Sequence, residues 1–291
     1  MDLFRSLLFV PGNQERMLQK ASLCEPDIFV PDMEDSVAVG DKEEARETVR
    51  AHIELLSSTG RPVIPRLNSL DTGLLKDDLN AIAVPGVYGV SVGKVGDIGD
   101  IAEIIALMDC AEKNAGLEVG SIKHLPWIET ALGVMNSFSI LSASERVCGA
   151  AFGAEDFTND MGIERREDSR EIMHAKNHLA ISARAAMVPA LDTPFFAFRD
   201  TEGLNEDSIR SRSIGYKGKF AIHPDQIQTI NTCFSPNGKE IEHARKIIEV
   251  FDEAAEKGRG STSLDGVVVD IPVVKRAKAL LDLAENMKLL G

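Results

Sequence analysis

The sequence has few cysteines, no long apolar run and no excess of basic residues. Its four cysteines, Cys24, Cys110, Cys148 and Cys233, lack the spacing of a metal site, which predicts reduced thiols in the core of a cytosolic protein. No apolar stretch approaches the roughly 20 residues that a membrane helix needs. A formal net charge of −14 argues against a nonspecific nucleic-acid binder, because phosphate backbones favour basic surfaces.

Further absences narrow the fold and the location. No Gly-x-Gly-x-x-Gly turn follows an early apolar run, which weakens the interpretation of the chain as a dinucleotide-binding protein. The sequence contains no internal repeat and no low-complexity segment. A strand-like run begins at Arg5 and ends at Val10, so we expect no secretory or transit peptide and a cytoplasmic location.

Eight short apolar runs recur along the chain, with helical patterns between them. Strands and helices that alternate with connections this short predict parallel β-strands covered by helices. Eight such units favour an α/β fold of the closed (β/α)8 TIM-barrel type over an open doubly wound sheet. The runs span residues 7–10, 28–30, 63–67, 87–92, 122–128, 147–152, 188–191 and 219–222.

One of the helices between these runs has a recognisable start. Ile101, Ile104 and Met108 lie at helical spacing, and Asp100 with Glu103 has the pattern of a capping box. We therefore expect the helix to begin near Asp100.

The strand–helix alternation ends after residue 225. The remaining pattern predicts a separate C-terminal helical arm or lid, so we divide the chain into a barrel domain, 1–225, and an arm, 226–291. The arm consists of a helix near 240–257, a Gly-Ser-Thr-rich turn at 258–263, an apolar strand at 267–269 and a final helix from Pro272.

Two carboxylates follow successive apolar runs of the predicted barrel. Glu129 ends one run, Asp156 ends the next, and a plausible helix start follows each. Because the carboxyl ends of parallel strands meet on one face of a barrel, we expect these side chains to lie close together. Carboxylates in this arrangement can share one hard divalent cation with water and substrate oxygens, which predicts a metal site.

Other charged residues fall at the same predicted barrel mouth. Arg66 and Asn68 follow the third run, and the arginine can either bind a carboxylate through two hydrogen bonds or pair with a neighbouring loop. Asp32, Glu34 and Asp35 end the second run. They fit a helix start or a solvated loop, but their position facing Arg66 favours an ion pair with it or a second layer around a metal.

Two more segments are candidates for the site. Gly153, Ala154 and Glu155 precede the second carboxylate, and a glycine there permits close approach of the backbone, so that amides face a ligand carboxylate. A plain tight turn needs a glycine equally. His223 ends the eighth run and is either a catalytic group or a residue that caps the strand end or bonds to a loop.

Seven motifs occur together in one order along nearly the whole chain. They resemble the citrate lyase beta-subunit family of the HpcH/HpaI aldolase superfamily, which includes malyl-CoA and citramalyl-CoA lyases. The motifs are Arg5-Ser-Leu-Leu-Phe-Val-Pro-Gly12, Met33-Glu-Asp-Ser-Val37, Arg66-Leu-Asn68, Ile128-Glu129, Gly153-Ala-Glu-Asp-Phe157, His223-Pro-Asp-Gln226 and Leu264-Asp-Gly-Val-Val-Val-Asp-Ile-Pro272.

The resemblance implies a Mg²⁺-dependent carbon–carbon lyase on a (β/α)8 barrel. Such an enzyme cleaves a 3-hydroxyacyl thioester, of the malyl-CoA or citramalyl-CoA type, into a 2-oxo acid and an acetyl thioester by a retro-Claisen or retro-aldol step. It is usually a homo-oligomer, a trimer or a higher assembly such as a hexamer.

The resemblance also implies roles for individual residues. Glu129 and Asp156 match the metal ligands, and Arg66 matches the catalytic arginine that holds substrate oxygens beside the metal. Asp270 matches a catalytic aspartate that the C-terminal arm presents to a neighbouring subunit's site, although its place before the last helix also suits a helix cap. Two further acids match residues lining the substrate pocket, namely Glu34 and Asp35.

Two departures from the family pattern leave the substrate's carrier open. The chain has Ser91-Val-Gly-Lys94 where relatives often have Leu-Pro-Lys, and Gly266-Val-Val-Val-Asp270 where many have Gly-Lys-Met. CoA thioesters, carrier-protein thioesters and free acids therefore all stay possible as substrates. The alternatives are the beta chain of a citrate lyase acting on a citryl thioester of an acyl carrier protein, an aldolase acting on free pyruvate and an aldehyde, and a non-catalytic metal- or ligand-binding barrel subunit.

Overall fold

The computed structural model describes residues 3–166 and 168–289, which form two compact units, 3–231 and 232–289. The ends of the predicted barrel domain and arm, at residues 1, 2, 290 and 291, and residue 167 lie outside the described residues.

The first unit contains eight parallel strands that close into a barrel, in chain order, with β1 pairing with both β2 and β8. All eight predicted strands are confirmed. The third is short, and Val63 of its predicted span forms only an isolated bridge with Phe29. The strands are β1 Ser6–Pro11, β2 Ile28–Asp32, β3 Arg66–Leu67, β4 Gly89–Val92, β5 Lys123–Ile128, β6 Ala150–Phe152, β7 Ala190–Asp192 and β8 Gly218–Ala221.

Alternation along the strands decides which side chains fill the barrel. In β5, Leu125 and Trp127 belong to a buried cluster with Leu7, Val30 and Phe220 from other strands. The strands are short and apolar because both faces of a parallel sheet in a barrel are covered. The helices of this region are α1 Glu15–Ala21, α2 Lys42–Ser57, α3 Leu75–Ile82, α4 Ile98–Ala115, α5 Ala131–Leu141, α6 Ala154–Asp160, α7 Met173–Ala185, α8 Thr201–Ser213 and α9 Gln226–Cys233.

The predicted start of α4 is wrong by one turn. Asp97, and not Asp100, is the N-cap, and its Oδ1 accepts hydrogen bonds from the main-chain N–H groups of Gly99 at 2.7 Å and Asp100 at 3.2 Å. The Asp100 carboxylate accepts in return from the N–H of Asp97 at 3.3 Å. Asp100 is therefore the third helical residue of the capping box, and the helix begins at Ile98.

The prediction of core cysteines is also wrong in part. All four thiols are free, but Cys110 is exposed, Cys24 and Cys148 are half-buried, and only Cys233 is buried. The residues of α4 that face the core include Met108 and Ala111, so position 110 between them faces solvent.

The second unit contains α10 Gly238–Glu256, a hairpin of β9 Thr262–Leu264 and β10 Val267–Val269, and α11 Ile271–Asn286. Part of the segment predicted as a turn is thus strand β9, which pairs antiparallel with the predicted apolar strand. Its buried cluster is formed by Ala244, Ile247, Val269, Val274 and Ala277.

A search of the helices in the described part of the chain finds none with the length and apolar character needed to cross a membrane.

Candidate functional site

A pocket of about 460 Å³ opens at the carboxyl ends of the barrel strands. It is lined by Asp32 from the end of β2, Arg66 from β3, Glu129 after β5 and Asp156 from the first turn of α6. The predicted convergence of these groups is therefore present. A larger groove of about 760 Å³ beside α2 brings together no buried carboxylates, so it is not the candidate site.

Glu129 is buried in the pocket, with 3% of its surface exposed. The main-chain N–H of Lys94 donates a hydrogen bond of 2.8 Å to its Oε1. Burial raises the pKa of Glu129 to about 8, and the negative charges of Asp156 and Glu34 add to this rise. A cation beside Glu129 would stabilise the ionised form of this buried carboxyl group.

Asp156 lies on the neighbouring element, because β5 and β6 pair with each other. Burial and the charge of Asp35 raise its pKa, whereas Lys94 and Arg66 lower it. The expectation that a helix starts after Asp156 is wrong. Helix α6 already begins at Ala154, so the carboxylate projects from its first turn, where an acidic group is favoured by the helix dipole.

The predicted ion pair between Arg66 and the acids that end β2 is confirmed. Arg66 donates from Nε and Nη2 to the two carboxylate oxygens of Asp32, both at 2.8 Å. Its Nη1 lies 3.0 Å from an oxygen of Glu34 and 3.2 Å from one of Asp35. Burial opposes the charged guanidinium, but these acids outweigh burial and raise the pKa of Arg66, so it stays charged.

The acids around Arg66 differ in their own protonation. Burial would raise the pKa of Asp32, but the charge and hydrogen bonds of Arg66 hold it below its usual range. Burial raises the pKa of Glu34 to about 7; Arg66 opposes this rise, and Asp35 and Asp32 add to it. Asp32 is therefore the permanent counter-ion of Arg66, while Glu34 titrates near neutral pH.

Aromatic rings form the floor under the guanidinium. The Cζ atom of Arg66 lies 4.7 Å from the ring centre of Phe9 and 5.8 Å from that of Trp127. Phe220 packs against both rings, and the indole N–H of Trp127 donates to the hydroxyl of Ser91 at 2.6 Å. Sequence reasoning missed these residues, because in the sequence they look like ordinary core positions.

The donor set suits Mg²⁺ held by few protein ligands. Among the residues that the structure describes, no group of three or more His, Cys, Asp or Glu side chains could hold a metal ion. Glu129 and Asp156 would then supply two carboxylates to a metal ion, and the remaining positions would fall to water and substrate oxygens. Mg²⁺ is commonly bound in this way, because it dehydrates reluctantly.

Gly153 is needed for the placement of Glu129. A Cβ atom on Gly153 would lie 2.1 Å from Oε2 of Glu129 and 2.6 Å from its Cβ, so no larger residue fits without movement. Ala154 and Glu155 also line the pocket. The N–H of Ala154 donates to Oγ1 of Thr193 at 3.4 Å, and the exposed Glu155 pairs with Arg165 at 3.0 Å.

Asn68 and His223 have structural contacts in the chain. Asn68 does not line the pocket; its side-chain amide donates to Oδ2 of Asp78 at 2.7 Å, so its expected place at the mouth is wrong. His223 accepts a hydrogen bond at Nδ1 from the N–H of Asp225 at 3.2 Å, which fits the loop role.

Asp270 is the N-cap of α11 in the second unit. Its Oδ1 accepts a hydrogen bond from the N–H of Val273 at 3.2 Å. The cap uses one carboxylate oxygen in this contact, and the catalytic role that the resemblance implies stays a prediction.

Comparison with known proteins places the chain among carbon–carbon lyases. Residues 5–224 match the family model of the HpcH/HpaI aldolase/citrate lyases. The chain is 36% identical over 282 residues to the citrate lyase subunit beta of Leuconostoc mesenteroides subsp. cremoris, covering 97% of this chain and 93% of that protein. It is 29% identical over 294 residues to the mitochondrial citramalyl-CoA lyase of Rattus norvegicus, covering 98% of this chain and 87% of that protein.

A similar solved structure is that of protein CitE from Mycobacterium tuberculosis in complex with magnesium, acetoacetate and coenzyme A. Its TM-score is 0.80 at 25% identity, over 97% of this chain and 98% of that one.

Proposed function

The chain belongs to the HpcH/HpaI aldolase/citrate lyase family, and on that premise we propose that it is a Mg²⁺-dependent carbon–carbon lyase acting on a 3-hydroxyacyl-CoA thioester. The substrate is of the malyl-CoA or citramalyl-CoA type, and the products are a 2-oxo acid and acetyl-CoA. The observation that carries the proposal is the meeting of Glu129, Asp156 and Arg66 in one pocket. The names of the relatives, and the magnesium and coenzyme A bound to the similar CitE structure, support it.

Glu129 and Asp156 are the residues that would hold the metal. Bound there, Mg²⁺ would neutralise the carboxylates and stabilise negative charge on the oxo-acid fragment. The raised pKa of buried Glu129 supports this assignment, because a nearby cation offsets the cost of ionising a buried carboxyl group.

Arg66 binds and orients the substrate's carboxylate or hydroxyl oxygen. Its guanidinium is fixed on one side by both oxygens of Asp32 and on its flat face by Phe9, so little entropy is lost when substrate binds. Glu34 and Asp35 lie beside this guanidinium, and Asp35, Gly153, Ala154 and Glu155 line the pocket.

The cleavage step needs a base and then an acid. A base takes the proton of the 3-hydroxyl group, the adjacent carbon–carbon bond breaks, and the electron pair passes into the thioester enolate. The enolate carbon then takes up a proton to give the acetyl thioester. We assign this proton transfer to Asp270 of a neighbouring subunit, on the resemblance of its motif.

A role for Asp270 in a neighbour's site requires a homo-oligomer, and we propose a trimer or a hexamer. We further propose that this oligomer is located in the cytoplasm. The barrel over 1–225 would then supply the metal site, and the arm over 226–291 would complete a neighbour's site. Several relatives are citrate lyase beta subunits. The competing substrate is therefore a citryl thioester on an acyl carrier protein.

Product trapping tests the proposal. The purified protein is incubated with Mg²⁺ and either malyl-CoA or citramalyl-CoA, and phenylhydrazine traps released glyoxylate or pyruvate. We expect release from one of the two, lost with EDTA and restored by excess Mg²⁺. If neither CoA thioester releases product but a citryl thioester on an acyl carrier protein is cleaved, the carrier-protein thioester is the substrate and the proposal of a CoA-thioester lyase is wrong.

A further inference from the structure

Helix α7 carries two histidines that the candidate site does not use. His174 and His178 lie four residues apart in this helix, so both rings project from one face, one turn apart. Their ring centroids are 6.4 Å apart, and the ring planes meet at 35°. His174 is exposed and His178 is half-buried, so the two rings meet at the surface of the protein.

The spacing of His174 and His178 sets them apart from the other histidines of the chain. The sequence has six histidines, and no other two of them lie within four residues of each other. Within the described ranges, 3–166 and 168–289, no hydrogen bond or ion pair involves either ring, whereas Nδ1 of His52 lies 2.8 Å from the carbonyl oxygen of Thr48. Two adjacent imidazole rings thus have their nitrogens available for a shared ligand.

The charges near the two rings permit a cation. Lys176 lies between the histidines in sequence, but it is buried on the inner face of α7, where its Nζ lies 2.7 Å from Oδ1 of Asp192. Arg170, one turn before His174, pairs with Asp168 at 3.1 Å, and the other basic residue of the helix lies in its last turn. The net charge of −14 also attracts cations to the surface of this chain.

Two imidazole rings at this spacing suit a divalent transition ion. Zn²⁺, Ni²⁺ and Cu²⁺ accept imidazole nitrogen, whereas Mg²⁺ takes oxygen ligands. Because Zn²⁺ lies about 2.1 Å from each ligating nitrogen, the ring centres of a chelating pair are roughly 5 Å apart, and rotation of the exposed His174 side chain closes the difference. No group of three His, Cys, Asp or Glu side chains forms a metal site in the described part of the chain, so water would fill the other positions.

We propose that His174 and His178 bind one divalent transition ion of the Zn²⁺, Ni²⁺ or Cu²⁺ class. The site is separate from the pocket of Glu129 and Asp156, whose lining includes neither histidine, and the inference does not depend on the proposed function. The ion links two successive turns of α7 and so stabilises the turn that carries Lys176. Because Lys176 contacts Asp192 at the end of β7, the ion also stabilises the attachment of α7 to the barrel.

Calorimetric titration of the untagged protein with Ni²⁺ tests the site, in an excess of Mg²⁺ that competes for oxygen ligands elsewhere. We expect one Ni²⁺ per chain to bind the wild type, and His174→Ala and His178→Ala each to bind it at least about tenfold more weakly, because each variant keeps one of two ligands. His243→Ala is the matched control, since it removes an exposed histidine of α10 that has no second histidine nearby, and it should keep the wild-type affinity. No Ni²⁺ binding to the wild type, or equal affinities in all four proteins, would overturn the proposal.

Hydrogen exchange tests whether the ion stabilises the helix. Saturating Ni²⁺ should slow amide exchange in α7 of the wild type and of His243→Ala, and should leave exchange in α7 of His178→Ala unchanged. Unchanged exchange in α7 of the wild type with Ni²⁺ bound would show that the ion does not join the two turns. Neither measurement uses a substrate, so a negative result here leaves the lyase proposal intact, and an absence of thioester cleavage leaves the histidine site intact.

Discussion

The main-chain N–H of Lys94 donates a hydrogen bond of 2.8 Å to Oε1 of Glu129. Lys94 has a φ of 56°, in the left-handed region that non-glycine residues rarely adopt. The turn at the end of β4 is thus held in a less favourable conformation whose amide faces the carboxylate. The other sides of Glu129 face glycines: a Cβ on Gly93 would lie 2.7 Å from Oε1, and one on Gly153 would lie 2.1 Å from Oε2.

The first prediction concerns this enclosure. Gly93→Ala should displace the Glu129 carboxylate and weaken Mg²⁺ binding about 10–100-fold, the usual cost of disturbing groups that orient a metal ligand. Isothermal titration with Mg²⁺ measures the effect. Gly40→Ala is the control, since no atom lies within 4 Å of the added Cβ. Wild-type affinity in Gly93→Ala would show that Glu129 tolerates the extra atom.

The second prediction concerns the fixed arginine. Arg66→Met should lower the free energy of unfolding by about 3–5 kcal/mol, because buried Asp32 loses the partner of its charge. Urea unfolding measures it. Arg61→Met is the comparison, because Arg61 pairs with the exposed Glu25 at 3.8 Å and its loss should cost at most about 1 kcal/mol. Equal, small losses in both variants would argue against a structural role for the Arg66–Asp32 pair.

The third prediction is a pH dependence away from the pocket. His124 is fully buried, neither ring nitrogen has a hydrogen-bond partner among the described residues, and burial lowers its pKa from 6.5 to about 3. Between these values the unfolded chain binds a proton that the folded chain does not. Stability is therefore complete above pH 6.5 and falls by about 1.4 kcal/mol per pH unit below it.

Urea unfolding of the wild type and His124→Leu between pH 7.5 and 4.5 measures this dependence. As pH falls below 6.5, the free energy of unfolding of the wild type should drop more steeply than that of the variant, by about 1.4 kcal/mol per pH unit. Parallel pH profiles for the two proteins would mean that His124 takes up its proton as readily in the folded state as in the unfolded chain.

The fourth prediction concerns Asp270. Asp270→Ala and Asp156→Ala should each be inactive, and a mixture that exchanges subunits should recover activity. Random pairing places an intact Asp156 opposite a neighbour's intact Asp270 in about a quarter of the sites. Turnover after mixing, compared with each variant alone, measures the recovery. No recovery, despite exchange shown by native mass spectrometry, would place Asp270 outside a neighbour's site.

The sequence predicted the barrel and the carboxylates because both depend on repeating local patterns. Apolar runs followed by helical spacing mark each strand, and strand ends converge in any such barrel, so Glu129 and Arg66 could be placed without coordinates. The start of α4 could not be predicted in the same way. Asp97 and Asp100 lie three residues apart, as do Asp100 and Glu103, so the sequence is compatible with two different capping boxes.

The surroundings of Glu129 could not be predicted from the sequence either. The N–H of Lys94 reaches Glu129 because of the backbone conformation at Lys94, and a lysine in the sequence does not indicate a φ of 56°. Phe9 and Trp127 were missed because a ring that supports a guanidinium and a ring that fills a core have the same apolar pattern. Such roles depend on contacts between residues distant in sequence, which one chain without coordinates does not reveal.

Equilibrium binding of Mg²⁺ to the wild type, Glu129→Gln and Asp156→Asn tests the central claim most directly. Both substitutions keep the size of the side chain and remove its charge, and circular dichroism checks the fold of each protein. We expect one Mg²⁺ per chain in the wild type, at least a tenfold loss of affinity in each variant, and a parallel loss of thioester cleavage. Unchanged Mg²⁺ affinity in both folded variants would contradict the assignment of the metal site.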